Sequence, residues 1–159
     1  MLNKGEVVRV FVSMYKKKIE EIRESLESTR KCAVDAPGSN VSRSDTSKFQ
    51  YSNLALGIEK RLREAEEILK LLNRMYENST SKSEVISIGS LVSLMNIDTR
   101  EVIGYLLIGR EGGGDSYLIG NVRVSLIYAK APLAKMLNGR ERGEEVEFLK
   151  KTFEIVEVQ

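Results

Sequence analysis

The chain has 159 residues, 42% of them hydrophobic, and its 25 basic and 23 acidic side chains leave a formal net charge of +2 at pH 7. That length fits one or two small domains, and the near-balanced charge supplies no global field to draw in nucleic acid. With no histidine and a single cysteine, Cys32, the chain cannot build Ser-His-Asp or Cys-His nucleophile pairs, histidine-containing zinc sites or an intramolecular disulfide.

The first element is a helix from about Gly5 to Ala33, roughly 40 Å long at 1.5 Å per residue. Val8, Val12, Tyr15, Ile19, Ile22 and Leu26 are spaced alternately by four and three, the signature of a helix that buries a narrow apolar seam. Tyr51, Ala55, Ile58, Leu62, Ala65, Leu69, Leu72 and Tyr76 repeat it. Setting Leu26 against Tyr51, Ile22 against Ala55, Ile19 against Ile58, and so on to Val8 against Leu69 joins an a position to a d position in every layer. This predicts an antiparallel helical hairpin with its tip near Pro37-Gly38, where proline disfavours helix at Ala36 and glycine tolerates a reversal. Thr29 then faces Lys48 and Ala33 faces Ser44, so the tip end is small and polar. Ser42 and Ser44 are candidate caps of the returning helix. Cys32, near the end of the first helix, reads as an ordinary packed or half-exposed thiol.

Charge along the hairpin is mixed. Lys16-Lys17-Lys18 precedes Glu20-Glu21, and Lys60-Arg61 lies beside Glu64, Glu66 and Glu67, as expected for solvated flanks with i,i+4 pairs. The lysine run is also a candidate contact for an acidic partner surface.

The polar stretch from Glu77 to Ser83 ends the helical period and divides the chain into a hairpin of residues 1–78 and a second domain of residues 83–159. Beyond it, Val85 to Leu94, Glu101 to Ile108, Tyr117 to Ile119, Val122 to Ile127, Glu145 to Phe148 and Phe153 to Val158 read as strands of an antiparallel sheet. Gly112-Gly113-Gly114 lacks the ending of a phosphate loop and reads as a hairpin loop between the second and third strands. Ala131 to Leu137 forms one short helix, with Pro132 in its first turn and Gly139 past its end. The fold class is therefore α+β. Apolar stretches are too short or too interrupted to cross a bilayer, and Met1-Leu2-Asn3-Lys4 lacks the apolar core of a secretion signal, so a soluble cytoplasmic protein is expected.

The run Ala131-Pro132-Leu133-Ala134, then Leu137-Asn138-Gly139-Arg140, Arg142-Gly143-Glu144-Glu145-Val146 and the strand Phe153 to Val158 resembles the C-terminal signature of bacterial Gre transcription elongation factors. The family's signature has serine at position 131, glycine at 134, lysine at 140 and aspartate at 144. The order of parts agrees as well, since Gre factors carry a coiled-coil hairpin followed by an FKBP-like β domain. The resemblance implies a factor that binds RNA polymerase at its secondary channel, with the β domain on the rim and the hairpin tip near the catalytic centre. It implies no chemistry by the isolated protein, no cofactor, and contact with DNA or RNA only through polymerase. Pro132, Leu133, Gly139, Arg140 and Gly143 are the polymerase-binding candidates it offers.

At the tip the chain departs from the family. Gre factors carry an acidic pair at the start of the second helix, understood to help hold a Mg²⁺ shared with polymerase. Here the segment reads Asn40-Val41-Ser42-Arg43-Ser44-Asp45-Thr46-Ser47-Lys48. Asp35, Ser44, Asp45 and Lys48 are the tip candidates, with Asp35 and Asp45 as the carboxylates that would reach such a metal. A hard cation wants several oxygen ligands, so regulation by occlusion or contact is the preferred expectation over assisted transcript cleavage. Asp45 also suits a helix cap. Two other readings stand beside this one: a coiled-coil adaptor without polymerase binding, and a peptidyl-prolyl isomerase, for which the chain has few aromatic residues to line a pocket.

Overall fold

The structure is a computed structural model and describes residues 2–36, 46–77 and 84–159. Two long helices come first, α1 (Lys4–Asp35) and α2 (Ser47–Glu77). Six strands follow, β1 (Leu91–Asn96), β2 (Val102–Ile108), β3 (Ser116–Ile119), β4 (Val122–Tyr128), β5 (Glu145–Phe148) and β6 (Lys151–Val158). A short helix, α3 (Pro132–Leu137), lies between β4 and β5. These elements form two compact units, one of Met1–Val12 with Leu71–Gln159 and one of Ser13–Lys70. This division cuts both long helices, and the expected boundary at residues 78–83 lies outside the described residues.

In the second unit Tyr15, Ile19, Ile22, Leu26, Ala55, Ile58 and Ala65 of the expected series are buried, whereas Leu62 and Leu69 are half-buried and Ile68, outside that series, is buried. The register differs from the sequence expectation. Arg23 bonds Glu66 at 2.8 Å and Arg30 bonds Glu59 at 2.6 Å. In the expected register Arg23 is level with Leu54, and Glu66 stands twelve residues further along, about 18 Å at 1.5 Å per residue. No arginine spans that axial gap. Sliding α2 by one heptad brings both pairs within reach and sets Leu26 against Ile58, Ile22 against Leu62, Ile19 against Ala65 and Tyr15 against Leu69. Tyr51 then faces only Ala33, which accounts for its 38% exposure. The helix ends agree: α1 continues to Asp35, and α2 starts only at Ser47. Pro37-Gly38, where the tip was expected, lie outside the described residues. Thr46 supplies the first helical carbonyl of α2, accepting from Gln50 N at 3.0 Å, while Ser42 and Ser44, the expected caps, lie outside the described residues.

In the first unit the sheet order is β3-β4-β2-β1-β6-β5. It is mixed rather than wholly antiparallel, because β2 and β4 pair in parallel from Ile103 with Arg123 to Ile108 with Tyr128. Consequently β3 is not the hairpin partner of β2. It pairs antiparallel with β4 on the outer edge, and the glycine run belongs to a connection that passes over β4. Gly113 has φ +95°, and a Cβ built there would stand 2.7 Å from the carbonyl oxygen of Leu126. Gly114 N donates to that oxygen at 2.8 Å. Glycine is needed because the chain passes β4 at backbone contact distance.

The expected strand from Val85 to Leu94 is shorter at its start. Val85 makes only an isolated bridge to Glu141, a turn follows, and β1 then runs on to Asn96. One face of the sheet presents Val92, Leu94, Leu107, Val146 and Ile155 to Leu133, Ala134 and Leu137 of α3. Alternation along the strands turns Leu91, Leu106, Val124 and Leu126 to the other face, and these are buried too. Residues 2–12 pack there: Leu2 approaches Gly104, and Phe11 meets Tyr117 edge to face with ring centroids 5.1 Å apart. Gln159 fastens this end, accepting from Lys4 N at 2.8 Å while its backbone pairs with Leu91.

Candidate functional site

The segment from α3 to Gly143 is built by one helix and a tight loop. Ala131 is extended, with φ −62° and ψ 149°, and offers no side-chain cap; Pro132 follows in the first turn. Proline has no N–H to leave unsatisfied there, which softens the loss of a capping oxygen. Leu133, Ala134 and Leu137 turn inward and are buried, whereas Pro132 and Lys135 are exposed and Met136 is 38% exposed. Of the candidates named from sequence, Leu133 thus serves the core, and Pro132 lies on the open face of α3.

Past α3, Gly139 takes φ +81° and donates to Ile86 O at 2.8 Å, while Ile86 N donates to Arg140 O at 2.8 Å. Gly143 takes φ +89° and donates to Ile155 O at 2.7 Å. Gly143 therefore ties the loop to β6 and Gly139 ties it to the segment before β1, both through conformations that other residues adopt at a cost. Arg140 closes the loop: its Nη1 donates to Glu144 Oε2 at 2.8 Å and its Nε to Met136 O at 3.1 Å. Glu144 Oε1 accepts Glu141 N at 2.9 Å. That backbone hydrogen bond, helped by the Arg140 guanidinium, holds the Glu144 carboxyl below the usual range. Glu144 was not among the sequence candidates. The available signal was that positions 140 and 144 both carry longer side chains than the Gre signature, and the two bond to each other.

At the other candidate site, Asp35 is the last residue of α1 and Lys48 is in the first turn of α2, both exposed. Ser44 and Asp45 lie outside the described residues. Among the described residues, no group of three or more His, Cys, Asp or Glu is placed to hold a metal ion. Cys32 is exposed rather than packed. Lys16 and Lys17 line a groove of about 400 Å³ with Glu20, Arg23 and Glu66. Lys17 reaches Glu21 at 3.9 Å, and Lys18 Nζ lies 5.1 Å from the Tyr15 ring centroid, so the run is a mixed-charge surface. No described helix is long and apolar enough to cross a membrane.

A long antiparallel helical pair joined in one chain to a six-stranded mixed sheet with a single short helix defines an α+β protein of the coiled-coil-plus-β class. Its curated relatives are transcription elongation factors. The chain is 35% identical over 89 residues to GreA of Sulfurovum sp., covering 54% of this chain and 51% of that protein. To GreA of Francisella tularensis subsp. novicida it is 30% identical over 106 residues, covering 64% of this chain and 62% of that protein. The chain is therefore Gre-like, and its matches span from about half to three fifths of the length of these relatives. Among solved structures, it aligns with the GreA homologue Gfh1 of Thermus thermophilus at 19% identity and a TM-score of 0.35, over 93% of this chain and 94% of that one. Thermus aquaticus Gfh1 aligns at 21% identity and a TM-score of 0.38, over 92% of each chain. No family model matches.

Proposed function

We propose that this chain is a transcription factor that binds RNA polymerase at the secondary channel and regulates elongation through the end of its helical hairpin. The observation that carries the reading is the GreA similarity, taken together with two helices of 32 and 31 residues that share an apolar seam. Such a pair is about 45 Å long, enough to enter a deep channel. Pro132, Gly139, Arg140 and Gly143 form the contact region on the sheet module, with Leu133 supporting it from the core. The protein is an accessory factor of the cytoplasm and meets DNA and RNA only through polymerase.

The hairpin end acts by occlusion rather than by supplying a metal site. Asp35 and Asp45 are the carboxylates available there, with Arg43 and Lys48 close in sequence. Positive neighbours oppose Mg²⁺, and a hard cation wants more oxygen ligands than this end offers. Any Mg²⁺ involved is polymerase's own.

Core polymerase immobilised on beads tests the binding step: capture of the full chain supports the reading, and lack of capture leaves an adaptor role with another partner. Backtracked elongation complexes test the mode of action. Inhibited elongation without faster transcript cleavage is expected. Faster cleavage that is lost in both Asp35→Ala and Asp45→Ala would replace occlusion by carboxylate assistance.

A further inference from the structure

At one end of the sheet, where the β1–β2 and β3–β4 turns are neighbours, a groove of about 730 Å³ opens that takes no residue from the Pro132 to Gly143 segment. Small-molecule sites span roughly 300–1,000 Å³. Leu2, Val102, Leu118 and Val122 give the groove an apolar wall, on which Leu118 is left 67% exposed. Ser93 lines it as well. That residue is only 4% exposed, yet its hydroxyl makes no hydrogen bond among the described residues and is not sealed off, so it opens its polar atom to the groove. Buried hydroxyls ordinarily have a partner.

Charges of both signs line the groove without neutralising each other. Arg100 and Arg123 share it with Glu101 and Glu157. Among the described residues neither guanidinium has an ion pair or hydrogen bond, nor has the Glu101 carboxylate, while Glu157 Oε1 accepts from Gln159 Nε2 at 2.8 Å. The backbone of Arg100 is held at φ +60° by the turn around buried Asn96. Asn96 Oδ1 accepts from Asp98 N at 2.9 Å and Thr99 N at 3.0 Å, and Asn96 O accepts from Arg100 N at 2.9 Å. Non-glycine residues kept in the left-handed region recur at ligand clamps.

We infer that this groove is a binding site for a small zwitterion with an apolar body, of the class of a free aromatic or branched amino acid. The guanidiniums of Arg100 and Arg123 take its carboxylate, Glu101 and Glu157 take its ammonium, and the apolar wall takes its body. A plain anion would face two carboxylates and a plain cation two guanidiniums, whereas a zwitterion is matched at both ends. The same balance of charge disfavours a polyanion such as nucleic acid. A ligand of about a dozen heavy atoms reaches a dissociation constant on the order of 1 mM. The inference does not rest on the polymerase reading.

Titration of the isotope-labelled full chain with L-phenylalanine to about 20 mM, followed by amide NMR, tests the site. Saturable shifts are expected at Ser93, at Arg100 to Val102 and at Asn121 to Arg123. Phenylpropionate, which lacks the ammonium, and L-phenylalaninamide, which lacks the carboxylate, should each bind at least about fivefold more weakly. Arg123→Gln should weaken L-phenylalanine binding about tenfold with wild-type circular dichroism, since its side chain is exposed. If that variant loses its circular dichroism, Arg100→Gln takes its place. Glu101→Gln should weaken L-phenylalanine and leave phenylpropionate unchanged. Absence of saturable shifts at these amides, binding of phenylpropionate as tight as that of L-phenylalanine, or a folded arginine variant that binds like the wild type overturns the inference.

Discussion

Arg23 of α1 donates to Glu66 of α2 at 2.8 Å, and this contact sets the register of the helical pair. With the parallel contact of Arg30 to Glu59, it places the layers one heptad away from the pairing that the apolar series alone suggests. Both ion pairs are substantially exposed and individually contribute little to stability, about 0–1 kcal/mol. Their value here is positional.

The shared layers give a direct mutational check. Leu26→Ala and Ile58→Ala should each cost about 2–5 kcal/mol in urea unfolding, and the double variant should lose measurably less or more than the sum, because the register set by the ion pairs puts them in one layer. Ile19 and Ile58 lie in different layers and should add within about 0.5 kcal/mol. Coupling between Ile19 and Ile58 with none between Leu26 and Ile58 would restore the unshifted register.

At the start of α3 a missing cap can be put back. Ala131 has cap geometry without a side-chain hydrogen bond, so Ala131→Ser should stabilise the protein by about 0.5–1 kcal/mol, read as a higher thermal midpoint. An unchanged midpoint would mean that the hydroxyl does not reach a free N–H of the first turn.

The loop that follows carries a pH signature. The Glu144 carboxyl is held low by Glu141 N–H first and Arg140 second, so its contribution to stability is present above the ordinary glutamate pKa and is lost as pH falls through the lower folded value. Carbon-detected NMR titration should place its midpoint below the ordinary glutamate value. In Arg140→Met the midpoint should rise part of the way, because the backbone donor remains. A full return would reverse the ranking of the two causes.

Two glycines should differ in their tolerance of alanine. Gly139 has φ +81° with open space around the built Cβ, so Gly139→Ala carries conformational strain alone, on the order of 1 kcal/mol. Gly113→Ala adds a 2.7 Å clash with the Leu126 carbonyl to its φ of +95° and should cost clearly more. Equal losses in denaturant midpoint would show that the crossing over β4 can relax.

Much of the candidate site was legible in the sequence because it is local. Pro132 opens the short helix and Gly139 lies just past its end, and each residue type does there what its own backbone chemistry dictates. Leu133 shows the limit of that legibility: it sits within the Gre-like motif, but only its burial with Ala134 and Leu137 in the core of Val92, Leu94 and Leu107 reveals that it packs inward. Arg140 was legible as a candidate and Glu144 was not, because their pairing depended on the loop that brings them together.

By itself the sequence determined two long amphipathic helices, an antiparallel seam, and a strand-rich remainder with one short helix, since each follows from periodicity within a single segment. Tertiary structure decided the register and the strand order. A heptad pattern looks the same after a slide of seven residues, so the apolar series cannot choose between layers; Arg23, Arg30 and the helix ends at Asp35 and Ser47 do. Likewise, nothing in the alternation of β2 and β3 says that β4 comes between them. That choice was made where the backbone at Gly113 and Gly114 could lie against Leu126, a contact between residues far enough apart in sequence that no local pattern records it.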